Sequence, residues 1–223
     1  MRGAFAGVVF DKDGTLLDFD ATWNPAIGLA IDTLADGDLA VALHIAEGLG
    51  YDLDARVTLP NAPLMAASNA EVAAMVPPGL GGDRLPDLLA AAVLDSITAA
   101  AHAETVLSAL SGGGVPAAVA TNDDEASTVA QLGRLAWTER FVAVLGYDSG
   151  HGAKPEPGMV IEACRRMDVA PGDALMVGDS MADILAGRAA GTTTVYVGPD
   201  ARRGAEAHHW IAALDELLPL LRD

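Results

Sequence analysis

Long apolar runs and cysteine pairs are missing from this sequence of 223 residues, and we expect no export signal. Asp, Glu, Arg or Pro interrupts each apolar stretch well before the ~18 residues that a membrane-spanning helix needs. The first apolar stretch, residues 4–10, ends at Asp11 without a small-residue cleavage site behind it. Cys164 is the single cysteine, so we expect no intramolecular disulfide and no cysteine pair for zinc, but a packing role in a helix. These absences predict a cytoplasmic protein without a membrane span.

Positive charge is scarce. The chain has 13 basic against 31 acidic residues and a formal net charge of −18. Such a charge repels nucleic acid and anionic lipid surfaces, so we expect neither as a partner. It also repels a phosphorylated metabolite, so a phosphate site needs local positive charge, which a divalent metal ion supplies. Lysine occurs only as Lys12 and Lys154.

Most of the chain alternates between strand and helix patterns. Short apolar runs bounded by Gly, Asp or Pro predict buried strands, and segments with a 3.6-residue period predict helices. This alternation predicts a parallel sheet covered on both faces, a Rossmann-like α/β core. The predicted strands are 4–10, 115–120, 141–145, 174–177 and 193–197, and the predicted helices of the core are 96–110, 125–135, 157–167, 181–190 and 210–221.

A segment rich in Ala and Leu, from about residue 20 to about residue 95, breaks the alternation. Its spacing predicts helices at 25–35, 38–49 and 68–75, and Ser68 with Glu71 has the pattern of a capping box. No stretch within it gives a convincing strand pattern. We therefore predict an all-helical cap domain at residues 19–96, inserted into a core formed by residues 1–18 and 97–223.

Two carboxylates, Asp11 and Asp13, follow the first predicted strand. In an open α/β sheet, ligands bind beyond the carboxyl ends of the strands. Both carboxylates point to the same side if the extended backbone continues past Phe10. Two neighbouring acids favour a hard cation such as Mg²⁺. By itself, the segment fits an ordinary turn or helix cap equally well, since Asp and Gly are common there.

The second and third predicted strands are also followed by polar side chains. Thr121 and Asn122 can hydrogen-bond phosphate oxygens, although an ordinary helix N-cap explains them as well. Lys154 precedes Pro155 after the third strand, and its ammonium can neutralise both a carboxylate and a transferring phosphoryl group. A solvated surface lysine is the alternative.

Asp179 and Asp183 follow the fourth strand and share one face of a helical turn, so Asp183 can support Asp179 or Lys154. An N-capping acid followed by a surface acid is the alternative interpretation. Four polar clusters at the ends of four parallel strands would converge on one crevice, and their roles are complementary. Together they indicate a catalytic site more strongly than any of them does alone.

In this order, the motifs resemble those of the haloacid dehalogenase superfamily of phosphohydrolases, in particular members with a helical cap and the phosphoglycolate phosphatase branch. The resemblance implies that Asp11 is the nucleophile and that Asp13 is first the general acid and then the base. It implies an Mg²⁺ ion held by Asp11, Asp179 and the backbone carbonyl of Asp13. The phosphate-binding residues that it implies are Gly14, Thr15, Thr121, Asn122 and Lys154.

Within the superfamily, two features of this sequence argue against particular branches. Asp13 argues against a dehalogenase, because a departing halide needs no proton, and a cap without lysine argues against the members that cleave phosphonates. We expect an Mg²⁺-dependent phosphatase that acts on a small phosphorylated metabolite, with 2-phosphoglycolate as the first candidate. A sugar phosphomutase and a non-catalytic phosphoester-binding module are the alternatives. The expected assembly is a monomer or a homodimer.

Two features of the sequence have no assigned role at this point. Lys12 stands where many relatives have an apolar or aromatic residue, and one interpretation places its side chain at the cap interface. A small acidic substrate needs a cation from the cap, for which Arg56, Arg84 and His44 are the candidates.

Overall fold

The computed structural model describes residues 5–60, 62–66 and 69–221. The chain divides into two compact units, with boundaries at 18/19 and 98/99. The predicted boundaries were 18/19 and 96/97, and the assignment of the units to a catalytic core and a cap stays a prediction. No helix among the described residues has both the length and the hydropathy of a membrane span.

Eight strands and ten α-helices are present in the described residues. The strands are β1 (Gly7–Phe10), β2 (Tyr51–Asp52), β3 (Val57–Thr58), β4 (Ala117–Ala120), β5 (Ala143–Leu145), β6 (Ala174–Gly178), β7 (Thr193–Val197) and β8 (His209–Ile211). The helices are α1 (Phe19–Ala35), α2 (Leu39–Leu49), α3 (Asn69–Met75), α4 (Leu85–Ser96), α5 (Ala103–Gly113), α6 (Glu125–Arg134), α7 (Gly158–Met167), α8 (Met181–Ala190), α9 (Ala201–Gly204) and α10 (Leu217–Leu220).

The first unit contains a six-stranded parallel sheet with the order β5-β4-β1-β6-β7-β8. All residues of β1, β4 and β6 are buried. Strands that are buried on both faces are typical of a parallel sheet between helices, and the predicted fold class is confirmed. Because β1 lies between β4 and β6, the carboxyl ends of these three strands lie side by side at one edge of the sheet.

Helix α7 contributes five residues to an apolar cluster on one face of this sheet. Its buried residues are Met159, Val160, Ala163, Cys164 and Met167, and they pack with residues of β1, β4, β5 and β6. Cys164 lies in this cluster, as expected from the sequence. Burial raises the pKa of its thiol to about 11.

The second unit consists of α1 to α4 and a short antiparallel hairpin formed by β2 and β3. Its apolar core joins α1, α2, α3 and α4, and Asp38 caps α2 by accepting from the N–H groups of Ala40 (2.9 Å) and Val41 (3.3 Å). The prediction of an exclusively helical segment missed the hairpin, where Asn24 Oδ1 accepts from the Thr58 N–H at 2.8 Å. Strands of two residues are too short to show a period. Helix α3 begins at Asn69, and the predicted cap residue Ser68 lies outside the described residues.

Two predicted helices were wrong. Residues 96–110 do not form one helix: α4 ends at Ser96, α5 begins at Ala103, and the Ala100 N–H between them donates to the Leu16 carbonyl at 2.8 Å. The C-terminal segment is not a helix over 210–221 either. Its first residues form β8, which pairs with β7, and only the four-residue α10 follows. Pairing covers the otherwise exposed edge of β7.

Candidate active site

The loop after β1 begins at the central strand of the sheet. Asp11 is still attached to the sheet, because its N–H donates to the Val177 carbonyl at 2.8 Å. The backbone then turns, and the N–H of Leu16 donates to the Lys12 carbonyl at 2.9 Å. The extended backbone therefore does not continue, and simple alternation does not determine the direction of the Asp13 side chain.

Lys154 places a buried ammonium between two carboxylates. Its Nζ contacts Asp11 Oδ1 and lies 2.6 Å from Asp183 Oδ1, and its side chain is 3% exposed. Burial lowers the pKa of an ammonium, but the Asp11 and Asp183 carboxylates outweigh this effect and raise the pKa of Lys154 above its usual range. The site therefore holds a fixed positive charge next to Asp11, within a chain of strongly negative charge.

The side chain of Asn122 holds the backbone of Lys154. Its Oδ1 accepts from the Lys154 N–H at 2.8 Å, and its Nδ2 donates to the Lys154 carbonyl at 2.9 Å. The peptide bond between Lys154 and Pro155 is cis. The two hydrogen bonds from Asn122 orient the backbone of Lys154. The predicted contact of Asn122 with phosphate stays a prediction.

Asp183 is fully buried at the start of α8. Its Oδ2 accepts from the Ser180 N–H at 3.0 Å and its own N–H donates to the Ser180 Oγ at 3.4 Å, which together form a capping box. The Ser180 hydroxyl also donates to Oδ2 at 2.5 Å. Its other oxygen contacts Lys154. Asp183 thus links the N-terminus of α8 to the lysine. The Ser-x-x-Asp spacing would have indicated the role of Ser180 from the sequence.

Three carboxylates lie close enough to hold a metal ion. One oxygen each from Asp11, Asp179 and Asp183 lies within 4.8 Å of the others. Burial raises the pKa of Asp11 to about 7, against the lowering effect of Lys154, and burial together with Asp11 and Asp183 raises that of Asp179 to about 8. A hard cation would relieve this repulsion, and carboxylate oxygens are the ligands that Mg²⁺ prefers, so the residues fit the predicted ion.

Within this cluster, the oxygens of Asp183 already contact Lys154 and Ser180, which makes Asp11 and Asp179 the better candidates for metal ligands. Asp179 lies against Gly14. Gly14 has φ = +80°, and a Cβ built there would overlap the Asp179 carboxylate. Position 14 therefore needs glycine, because of its positive φ and because of the close approach of Asp179. The third ligand implied by the resemblance, the Asp13 carbonyl, stays a prediction.

Two buried threonines are candidates for binding a phosphoryl group. Among the described residues, the Thr15 Oγ1 is buried without a hydrogen-bond partner, which is rare in folded proteins unless a ligand or water occupies the site. Thr121 is 2% exposed, and its Oγ1 accepts from the Asp123 N–H at 3.1 Å. That contact uses the oxygen of Thr121 as an acceptor and leaves its O–H as a donor for a ligand. Gly14 was also predicted to bind phosphate, and its N–H donates to the Leu17 carbonyl at 2.9 Å.

Lys12, which had no role assigned from the sequence, is buried within the first unit. Its Nζ lies 2.7 Å from Asp13 Oδ2 and 2.9 Å from Asp123 Oδ2, and it donates to Gln131 Oε1 at 2.5 Å. Asp123 and Gln131 had not been identified from the sequence. Both become relevant only because the fold brings them to the Lys12 ammonium.

Of the predicted cap cations, Arg56 already has an acidic partner. Its guanidinium donates to both carboxylate oxygens of Asp32, at 3.2 and 2.7 Å, and both side chains are exposed. His44 lies on α2 beside a groove that also contains Glu47, Asp52 and Asp54. Neither environment favours an anionic ligand.

Comparison with known proteins places these residues in a family context. Residues 5–191 match the family described as haloacid dehalogenase-like hydrolase. The phosphoglycolate phosphatase of Xylella fastidiosa 9a5c is 31% identical over 82% of this chain and 76% of its own length. The fructose-1-phosphate phosphatase YqaB of Escherichia coli is 29% identical over 88% of this chain and 98% of its own length.

Other relatives are matched over a smaller part of their length. A bifunctional riboflavin kinase/FMN phosphatase of Arabidopsis thaliana is 33% identical over 49% of this chain, which spans only 29% of that protein. Among solved structures, a predicted phosphoglycolate phosphatase of Haemophilus somnus has a TM-score of 0.72 at 19% identity, with full coverage of both chains. A subfamily IA hydrolase of Geobacter sulfurreducens has a TM-score of 0.66 at 22% identity, covering 98% of this chain and 97% of the other. At these identities, the structures share the fold alone.

Proposed function

Because this chain belongs to the haloacid dehalogenase-like hydrolase family, we propose that it is an Mg²⁺-dependent phosphatase that hydrolyses a small phosphomonoester through an aspartyl-phosphate on Asp11. The observation that carries the proposal is the buried Lys154 ammonium in contact with Asp11, beside the carboxylate of Asp179. A carboxylate beside a fixed positive charge can approach a phosphate dianion that the net charge of the chain would otherwise repel.

In the first step, a carboxylate oxygen of Asp11 attacks phosphorus as the bond between phosphorus and the ester oxygen breaks. The departing ester oxygen takes the proton of Asp13, so an alcohol leaves and Asp11 carries the phosphoryl group. Lys154, Thr15 and Thr121 would hold the phosphoryl oxygens during this transfer. Their contribution is positioning and charge stabilisation.

In the second step, water attacks the phosphorus of the aspartyl-phosphate. Asp13 takes one proton of that water while the bond between phosphorus and Asp11 breaks. Inorganic phosphate leaves, Asp11 is a carboxylate again, and Asp13 is protonated for the next cycle. The same side chain therefore serves both steps with opposite proton transfers.

Asp11 and Asp179 would hold the Mg²⁺ ion, together with the backbone carbonyl of Asp13. When bound, the ion supplies positive charge that balances the two carboxylates and the phosphoryl oxygens. Two observations support this assignment. The carboxylate oxygens lie within 4.8 Å of one another, and the pKa values of Asp11 and Asp179 are raised.

We propose 2-phosphoglycolate as the first substrate to test and fructose 1-phosphate as the second. The support is the similarity to a phosphoglycolate phosphatase and to a fructose-1-phosphate phosphatase, each over more than four fifths of this chain. We also propose that residues 19–98 are the cap domain, since they separate the Asp11 motif from the Thr121 motif in the chain.

The test is phosphate release from a panel of phosphomonoesters, with Mg²⁺ and with EDTA. We expect release that needs Mg²⁺ and that is lost in Asp11→Asn. The matched control is Asp168→Asn, which makes the same chemical change at an exposed residue in the left-handed region (φ 56°), where Asn is well tolerated. Undiminished release by Asp11→Asn, or no metal-dependent release from any ester, would contradict the proposal. Transfer of the phosphate to another hydroxyl of the substrate would indicate a phosphomutase instead.

A further inference from the structure

Lys12 is a fully buried lysine at a position that follows the proposed nucleophile directly. Its side chain is 0% exposed, although lysine is among the residues that are least often buried. A buried ammonium must be paired, because leaving it unpaired carries a large desolvation penalty. Because Lys12 is buried, its ammonium must be held by charged or polar partners within the protein.

One side of the Lys12 ammonium is anchored to the loop after β4 and to α6. It lies 2.9 Å from Asp123 Oδ2 and 2.5 Å from Gln131 Oε1, and Gln131 is itself 2% exposed. Gln131 Nε2 in turn donates to Asp123 Oδ2 at 3.2 Å. Lysine, carboxylate and amide form a closed ring of contacts, which fixes the position of the ammonium.

The other side of the same ammonium faces Asp13. Nζ lies 2.7 Å from Asp13 Oδ2, and the Asp13 side chain is 21% exposed. A partly exposed aspartate can rotate about χ1 and χ2, whereas a proton transfer needs its oxygen within about 3 Å of the reacting atom. The anchored ammonium restricts that rotation.

We propose that Lys12 is a positioning residue that holds the Asp13 carboxyl in the orientation needed for proton transfer. This inference rests on the proposed function, in which Asp13 gives its proton to the ester oxygen as the P–O bond breaks. Asp123 and Gln131 act through Lys12 by keeping its ammonium in place. A buried ion pair adds little to stability on balance, so orientation is its main effect here.

The test uses two phosphate esters that differ in their need for a proton donor. p-Nitrophenolate leaves readily without protonation, whereas the alkoxide of 2-phosphoglycolate or fructose 1-phosphate does not. In Lys12→Met, we expect kcat/KM for the alkyl ester to fall by about 100-fold or more, the usual contribution of general acid catalysis. For p-nitrophenyl phosphate, we expect a decrease of at most a few fold. An equal decrease for both esters would overturn the proposal, because a merely structural role affects both alike.

A double-mutant cycle provides the second readout. If Lys12 acts through Asp13, Lys12→Met added to Asp13→Asn causes no further loss with the alkyl ester. Multiplied losses would show that Lys12 acts on something other than Asp13 and would overturn the proposal.

Lys12→Met can fail to fold, so Asp123→Asn is the second variant. It keeps the shape of the side chain and an oxygen that can accept from the Asp124 N–H (2.8 Å in the native chain), while weakening the anchor of Lys12. In Asp123→Asn, a smaller but equally selective decrease in kcat/KM for the alkyl ester supports the inference. No selective decrease in this variant overturns the inference. Asp11-dependent hydrolysis of p-nitrophenyl phosphate by the unaltered chain confirms the proposed function separately. If the unaltered chain hydrolyses neither ester, the proposed function fails and the inference fails with it.

Discussion

Asn122 and Lys154 form a two-hydrogen-bond ring, in which the side-chain amide of Asn122 pairs with both the N–H and the carbonyl of Lys154 at 2.8 and 2.9 Å. The loop after β5 is thereby attached to the end of β4. Because Lys154 also contacts Asp11, the ring determines where the ammonium meets the proposed nucleophile.

Asn122→Ala should therefore lower kcat through the position of Lys154. A displacement of about 1 Å at a catalytic group can cost about 100-fold in rate, and we expect a decrease of that order. The measurement is steady-state phosphate release per folded molecule. Asn24→Ala is the matched control: it removes another buried amide, which holds Thr58 in the second unit. The control should lose stability but keep kcat. Equal kcat values for the two variants would contradict the prediction.

Gly14→Ala should abolish metal binding and turnover. The new methyl group would overlap the Asp179 carboxylate, in addition to the strain of φ = +80°. Gly37→Ala separates the two effects, because Gly37 has φ = +85° and nothing within 4 Å of the added Cβ. We expect Gly37→Ala to lose about 1–2 kcal/mol of stability and to keep its activity. Calorimetric titration with Mg²⁺ checks both variants, and normal Mg²⁺ affinity in Gly14→Ala would exclude the predicted overlap.

Thr15→Val should have opposite effects on stability and activity. In the free protein, it removes a buried hydroxyl without a partner, so the free energy of unfolding should rise by about 1 kcal/mol. A lost hydrogen bond to a charged phosphoryl oxygen should lower kcat/KM by about 10- to 100-fold. In Thr128→Val, the same change removes a hydroxyl that donates to the Asp124 carbonyl at 2.8 Å, and this control should lose stability. Urea unfolding checks the stabilities, and parallel destabilisation of both variants would refute the prediction.

Mg²⁺ binding should release protons near neutral pH. Without metal, the Asp11 and Asp179 carboxyls have pKa values of about 7 and about 8, and both must ionise to bind Mg²⁺. The affinity for Mg²⁺ should therefore increase as the pH rises from 6 to 8.5, by up to about tenfold per pH unit for each proton released. Calorimetry at pH 6.5 should give binding enthalpies that differ between buffers with different heats of ionisation. Identical enthalpies in all buffers would contradict the prediction.

The same shifts determine how stability changes with pH. The pKa of each carboxyl is higher in the folded chain than the ordinary value of 3.8, so the stabilisation by the bound proton is complete below pH 3.8 and is lost as the pH rises through about 7 and 8. Added Mg²⁺ replaces the lost protons. The increase in Tm caused by Mg²⁺ should therefore be larger at pH 8.5 than at pH 6.

The sequence was informative where each element has a strong local pattern. The strands β1, β4, β6 and β7 are apolar runs with polar residues at their ends, and parallel pairing brings Asp11, Lys154 and Asp183 together, as predicted. The hairpin β2–β3 and the edge strand β8 were missed because two or three residues carry no period. In β8, pairing with β7 prevails over a local pattern that suits a helix equally well.

The burial of Lys12 could not be predicted from the sequence. Its partners Asp123 and Gln131 lie 111 and 119 residues further along the chain, so no local pattern connects them. Lysine side chains are usually solvated, and strand alternation fails because the backbone bends directly after Asp11. Only the tertiary structure shows that both lysines of the chain are buried next to aspartates of the candidate site.

A rapid-quench experiment tests the central claim most directly. Excess enzyme is mixed with the best substrate of the panel and Mg²⁺, quenched in acid from milliseconds to seconds, digested, and examined by mass spectrometry. The mechanism predicts a phosphoryl group on Asp11 that appears before inorganic phosphate, decays as phosphate is released, and is absent in Asp11→Asn. Release of phosphate by the unaltered chain with no phosphorylated Asp11 at any time would contradict the proposed mechanism.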